Sequence, residues 1–257
     1  MDYNYHTHTY RCGHASGTIE EYIIRAIENG IKYLGFSDHI PYMCKTGDET
    51  SYRVPLAQGK DYFDEINQLR EKYKNQINIE IGFETEYYPE NFDEMLKAAI
   101  DFGAEYLILG EHYLEDESSG VAHTMYATDS VEDLKRYVCL VIEAMQTGYI
   151  TYIAHPDIFN FTGERDIYMA EMRKICEASR RYNIPLEINL LGIYENRAYP
   201  NKDFWKIAGE CQAPVTFGFD AHDVHRVFDD KSLKIAEDMV KIFNLNYIGK
   251  PKILKLQ

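Results

Sequence analysis

The 257-residue sequence places most of its histidines where short apolar runs end. His6 and His8 flank Thr7 directly after one such run. Residues i and i+2 of a strand project from the same face, so both imidazoles can reach one ion. His14 follows in Arg11-Cys12-Gly13-His14. Ser37-Asp38-His39, Gly82-Phe83-Glu84, Gly110-Glu111-His112, Ala154-His155-Pro156-Asp157 and Gly218-Phe219-Asp220-Ala221-His222 close further runs. Only His123 and His225, of nine histidines, fall outside this pattern. A lone histidine is usually solvated or packed, and His-x-His is a weak motif. Repetition of an apolar run followed by imidazole or carboxylate is what points to a shared site. Imidazole suits zinc, iron or manganese, and carboxylates can bridge two ions, so the pattern predicts a cluster of divalent metals.

Other chemistries find no footing. The chain has no Gly-x-Ser-x-Gly, no phosphate loop of the GxxxxGK type and no GxGxxG after a strand. Its five cysteines, Cys12, Cys44, Cys139, Cys176 and Cys211, form no CxxC pair and read as buried reduced thiols, with Cys12 near the predicted site. A formal charge of −15 argues against binding a nucleic acid polymer. It leaves room for a small phosphorylated metabolite, because bound cations invert the potential of an acidic pocket. No run approaches the ~18 apolar residues of a membrane span, and no signal pattern opens the chain, so a cytoplasmic location without membrane attachment is expected.

The elements that must position these groups are short apolar strands over Tyr3–Thr7, Tyr33–Asp38, Ile77–Glu84, Tyr106–Glu111, Tyr149–His155, Ile184–Leu190 and Val215–Asp220. Helical spacing marks Ile19–Ile27, opened by a Thr18/Glu21 capping box, and then Tyr62–Tyr73, Phe92–Phe102, Val131–Met145, Ile167–Tyr182, Phe204–Cys211 and Leu233–Phe243. Seven strands alternating with seven helices imply a parallel sheet. Polar residues recur at the C-terminal end of strand after strand. A closed barrel gathers those ends on one face, whereas an open sheet would use mainly one switch point. The expectation is an α/β, TIM-like barrel in one domain over residues 1–257, with no linker dividing it.

In this order, His-Thr-His-Thr, Cys-Gly-His, Phe-Ser-Asp-His, Gly-Phe-Glu, Ala-His-Pro-Asp, Leu-Glu-Ile-Asn and Gly-Phe-Asp-Ala-His resemble the PHP (polymerase and histidinol phosphatase) superfamily, and most of all its histidinol-phosphate phosphatase branch. The resemblance runs from His6 to His222. It implies a distorted (β/α)7 barrel holding two to three divalent ions (Zn, Mn or Fe). By resemblance, His6, His8, Glu84 and Asp220 would hold one ion, with Glu84 bridging to a second held by His112 and His155. His14, His39 and His222 would hold a third. Asp38 would orient an imidazole or handle a proton.

The implied activity is phosphomonoester hydrolysis by a metal-activated water, with L-histidinol phosphate as the leading substrate. Another small phosphate ester, such as a nucleotide or sugar phosphate, and a non-catalytic metal-binding module are the alternatives. The family's basic residue soon after His-Pro-Asp has no counterpart in Ile158–Gly163. Arg197, Arg11, Arg53 and Arg226 are therefore candidate phosphate clamps, and His225 a candidate substrate contact. Glu187 or Glu111 could receive an ammonium. His123 and the run Glu115-Asp116-Glu117 read as solvated, and Tyr10, Tyr42 and Tyr113 could line the pocket.

Overall fold

The computed structural model describes residues 1–256. Strands β1 (Tyr3–Asn4), β2 (Tyr33–His39), β3 (Asn78–Thr85), β4 (Tyr106–Leu109), β5 (Ile150–Ile153), β6 (Leu186–Asn189), β7 (Pro214–Gly218) and β8 (Asn246–Tyr247) form one parallel sheet in sequence order. Between them run α1 (Ile19–Glu28), α2 (Gly59–Tyr73), α3 (Phe92–Phe102), α4 (Val131–Gln146), α5 (Arg165–Tyr182), α6 (Leu190–Glu195), α7 (Lys202–Cys211) and α8 (Asp230–Ile242). The seven predicted strands and seven predicted helices are all present. The Thr18/Glu21 capping box forms as read.

Two elements go beyond that count. β8 is a pair of exposed residues, too short to show alternation. α6 is a six-residue turn that starts directly after β6, with the Asn189 side chain accepting the Gly192 N–H at 2.9 Å. Among the described residues no helix is long and apolar enough to cross a membrane.

Helices pack on the outside of the curled sheet, and the inner faces of the strands meet one another. Outward side chains such as Leu34, Phe36, Phe83, Leu107, Leu109, Ile188 and Phe217 join the large core shared with the helices. The inner face is filled by a separate cluster of Tyr3, Tyr5, Tyr106, Ile108, Tyr152 and Ala154. Period-two alternation then decides what the inner face carries toward the C-terminal ends: Ser37 and His39 on β2, Glu84 on β3, Glu187 and Asn189 on β6. The barrel is apolar and tyrosine-rich below and polar above.

Closure falls between β1 and β7. Thr7 bridges Ala221 in parallel, with His8 N–H donating to Ala221 O at 3.0 Å and Ala221 N–H to His6 O at 3.2 Å. Lower down, β8 pairs with the start of β7. Between these, side chains replace the missing ladder: Phe217 N–H donates to Tyr3 Oη at 3.3 Å and Phe219 N–H to Asn4 Oδ1 at 3.1 Å. Asn4 Oδ1 also takes the His6 N–H at 3.2 Å.

A buried amide without an acceptor costs about 1–3 kcal/mol. Asn4→Ala orphans the Phe219 and His6 amides together, and should lower unfolding free energy in urea by about 2–4 kcal/mol. Tyr3→Phe orphans one amide, that of Phe217, and should cost less, because the phenol's other partners at 2.9 and 3.1 Å are the hydroxyls of Thr216, which keeps Gly249 O, and of Tyr247, which reaches solvent. Equal losses would contradict this account of the seam.

Candidate metal centre

The predicted constellation converges at the C-terminal ends of the strands, with Glu84 at its hub. Glu84 Oε1 lies 3.0 Å from His155 Nε2 and 3.7 Å from His112 Nε2. Oε2 lies 3.3 Å from His8 Nε2, 3.3 Å from His39 Nδ1 and 3.4 Å from His6 Nε2. Asp220 Oδ1 stands 3.3 Å from both His6 Nε2 and His8 Nε2. Donor atoms close enough to share an ion include those of His6/His8/Glu84, of Glu84/His112/His155 and of His14/His39/His222.

The backbone is shaped to permit this. A Cβ on Gly110 would sit 1.9 Å from Glu84 Oε1, and one on Gly218 would sit 2.0 Å from Glu187 Oε2, so both strand ends require glycine. His155 and Asp220 hold left-handed backbone at φ 30° and 51°. Such strain in non-glycine residues clusters at functional sites.

Behind the cluster, carboxylates fix the rings. His6 Nδ1–H donates to Glu187 at 3.0 Å, His112 Nδ1–H to Glu86 at 2.9 Å and His8 Nδ1–H to Asp38 at 3.4 Å. Each bond leaves Nε2 with its lone pair facing the centre. Asp38 is fully buried and also receives Thr9 N–H, Thr9 O–H and His39 N–H, so it orients rather than faces the cleft. Sequence reading did not single out Glu86, and offered Glu187 for an ammonium. Glu187 instead lies buried behind His6, and Glu111 is buried accepting Tyr87 N–H at 2.9 Å. Glu86 shares the Glu84 side of β3 by i+2 alternation, which is the signal that could have found it.

In the acidic run Glu115 is exposed as read, whereas Asp116 and Glu117 are a further correction. Glu117 and Glu86 clamp the buried Arg53, and Asp116 is buried accepting Tyr42 O–H and Lys45 N–H. These are fixed partners, not solvated charges.

Burial opposes charge on every group here. Against it, Asp220, Glu187 and Glu84 raise His6 well above its ordinary pKa, and bonds to Asp220 and Asp38 raise His8. Burial, followed by repulsion from His8, pushes His39 and His222 well below theirs. Glu84 and Asp220 overcome their own burial, through His6 foremost among their partners, and lie well below the carboxylate range. The centre thus keeps its anions and draws positive charge.

His6 Nε2, His8 Nε2, His39 Nδ1 and Asp220 Oδ1 are nevertheless buried without any hydrogen-bond partner. Each orphan costs about 1–3 kcal/mol unless something binds it. Two nitrogen or oxygen ligands of one ion, each at ~2.1 Å, stand roughly 3–3.5 Å apart, which is the spacing seen around Glu84. The donor set fits divalent metals.

Over the cluster opens a cleft of about 380 Å³. Tyr52, Tyr113, His123, Met125, Arg197 and Tyr199 are among its walls. Arg197 is positioned by Tyr199 Oη at 2.6 Å and Glu195 at 2.7 Å. The other candidates lie elsewhere. Arg11 pairs with Glu65 at 2.7 Å, Arg226 stacks on Tyr194, and His225 is exposed outside the cleft. Tyr10 and Tyr42 also point away, bonded to Glu65 and Asp116, whereas Tyr113 does line the cleft.

His123 reverses its expectation. It lines the cleft, with Nδ1 accepting Met125 N–H at 3.1 Å, so the neutral ring turns an Nε2–H outward. Burial, and then repulsion from His112 and His155, lowers its pKa to about 3 and keeps it neutral. Its position in a polar loop far from any strand end hid this role.

Comparison with known proteins agrees with the geometry. A probable histidinol-phosphatase of Deinococcus radiodurans is 30% identical over 226 residues, covering 84% of this chain and 85% of its own. The histidinol-phosphatase of Bacillus subtilis is 25% identical over 248 residues, covering 84% and 92%. The crystal structure of Lactococcus lactis histidinol phosphate phosphatase, complexed with zinc, L-histidinol and phosphate, superposes with a TM-score of 0.72 at 20% identity, covering 96% and 95% of the two chains. The model of the PHP domain matches residues 4–190, which include seven of the nine residues around the centre, and the chain belongs to the PHP domain family.

Proposed function

We propose that the protein is a metal-dependent phosphomonoesterase that hydrolyses L-histidinol phosphate to L-histidinol and phosphate. The observation that carries this reading is the Glu84 carboxylate, whose two oxygens face separate sets of imidazoles. In this reading His6, His8, Glu84 and Asp220 hold one ion, Glu84, His112 and His155 a second, and His14, His39 and His222 a third. Zinc, manganese and iron all suit these ligands. When bound, such ions lower the pKa of a water toward neutrality and offset negative charge on phosphoryl oxygens.

The chain's own residues supply orientation and recognition. Glu187, Asp38 and Glu86 hold three rings in one tautomer and one direction. Arg197, already fixed by Tyr199 and Glu195, presents its guanidinium to the phosphate. The neutral His123 offers an N–H to the ester or phosphate oxygens. Tyr52 and Tyr113, stacked at 6.0 Å, give a flat wall for an imidazole, and Glu195 is the carboxylate on the rim for the ammonium.

The relatives named histidinol-phosphatase support the same substrate. A wider range of small phosphate esters is the second reading. It is favoured by Arg197 being the one Lys or Arg lining the cleft among the described residues. A single barrel domain and a cytoplasmic setting, where the five free cysteines stay reduced, complete the proposal.

Phosphate release over a metabolite panel, using metal-reconstituted enzyme, tests it. L-histidinol phosphate should show the highest kcat/KM; a nucleotide or sugar phosphate far ahead would replace the substrate and leave the chemistry. Glu84→Gln should lose activity by ~10²-fold or more while its urea midpoint moves little, and near-wild-type turnover would refute the hub role. Arg197→Ala should raise KM more than it lowers kcat, the mark of uniform binding lost. An unchanged KM would remove Arg197 from the phosphate site.

A further inference from the structure

Cys12 has no exposure to solvent, yet it belongs to neither hydrophobic cluster, unlike the buried Cys44, Cys176 and Cys211. Nitrogens of His8, His14 and His222 lie near its sulfur, with Asp38 also close. It ends a short 3-10 turn, Tyr10–Cys12, whose N-cap Thr9 is tied to Asp38, and Gly13 follows in left-handed backbone at φ 76°. That reversal brings Cys12 and His14 to the same side. Cys12 Sγ lies 3.9 Å from His14 Nε2. Sγ, one nitrogen of His8 and one of His222 also lie within 4.8 Å of one another.

The tautomers agree with a shared ion. His14 Nδ1–H donates to Cys12 O at 2.9 Å and His222 Nδ1–H to Asp220 O at 3.1 Å, so the Nε2 lone pair of each is free. His8, a fully buried ring whose Nε2 has no hydrogen-bond partner, also brings one nitrogen within 4.8 Å of Cys12 Sγ. A sulfur at ~2.3 Å and a nitrogen at ~2.1 Å from one tetrahedral zinc stand roughly 3.6 Å apart. The observed 3.9 Å needs only a slight contraction.

We propose that Cys12 is a ligand of the third ion together with His14 and His222, giving that position a sulfur donor and a preference for zinc over manganese. The inference rests on the three-ion reading above and deepens it. Coordination releases the thiol proton to solvent and leaves the thiolate on the metal. Soft sulfur favours zinc, whereas manganese prefers oxygen, so this one residue separates the third position from the other two, which have only nitrogen and oxygen donors.

Cobalt substitution tests the assignment without relying on turnover. Wild-type protein saturated with Co²⁺ should show a near-ultraviolet sulfur-to-cobalt charge-transfer band beside the visible bands of its other ligands. Cys12→Ser should lose the ultraviolet band and keep visible absorption, with Cys12→Ala as a second variant should serine disturb folding. Cys139→Ser, which removes the exposed thiol, should keep the band. Absence of the band in saturated wild type, or its persistence in both Cys12 variants, would overturn the proposal. Cobalt content of the same wild-type sample separates the two levels. Three bound ions without the band remove only the role of Cys12, two without it remove the third position as well, and no bound ion removes the whole metal reading.

Discussion

A carboxylate buried at the mouth of a barrel must be compensated from every side, and Glu84 sets this requirement for the whole upper half of the molecule. It is 1% exposed and has five imidazole nitrogens within 3.7 Å. An isolated ionised carboxylate could not remain there, since the desolvation penalty is several kcal/mol even after relaxation. Protonated imidazoles can answer part of the charge, but burial, and then repulsion from His8, holds the pKa of His39 and His222 well below its ordinary value. The arrangement gathers lone pairs and anions around common points, which suits cations with more than one charge.

The remaining architecture follows from holding those rings still. Carboxylates behind His6, His8 and His112 set tautomer and direction. Arg53, fixed between Glu86 and Glu117, extends the chain of support from His112 into the β4–α4 connection. Glycines at 110 and 218 admit carboxylates that any side chain would displace. Below, the tyrosine cluster fills the barrel, with Tyr106 O–H donating to Tyr5 O at 2.9 Å, so the polar centre rests on a packed floor. The seam at Asn4 couples closure of the barrel to the position of His6 two residues later.

Much of this was legible in the sequence because the governing regularities are local. Strand alternation and the repeated placement of imidazoles and carboxylates at strand ends marked His6, His8, His39, Glu84, His112, His155, Asp220 and His222, and the structure brings them together. The barrel followed from the same placement. Support and recognition were less visible, since they depend on contacts distant in sequence. Glu86 meets His112 and Arg53 only after β3, β4 and the β2–α2 connection come together. Glu187 looked available for substrate, yet its depth beside Gly218 turns it toward His6. Arg11 and Arg226 carried the right chemistry, but packing directs them to Glu65 and Tyr194. His123 came from a polar loop whose path over the cleft no periodicity announces.

The central claim is that these strand ends are a binding site for several divalent ions. Metal content of gently purified protein, measured per chain by plasma mass spectrometry, tests it most directly. The account predicts two to three ions per chain, recovered after chelation by zinc, manganese or iron. Fewer than one ion per chain, unrestored by any of the three, would contradict it.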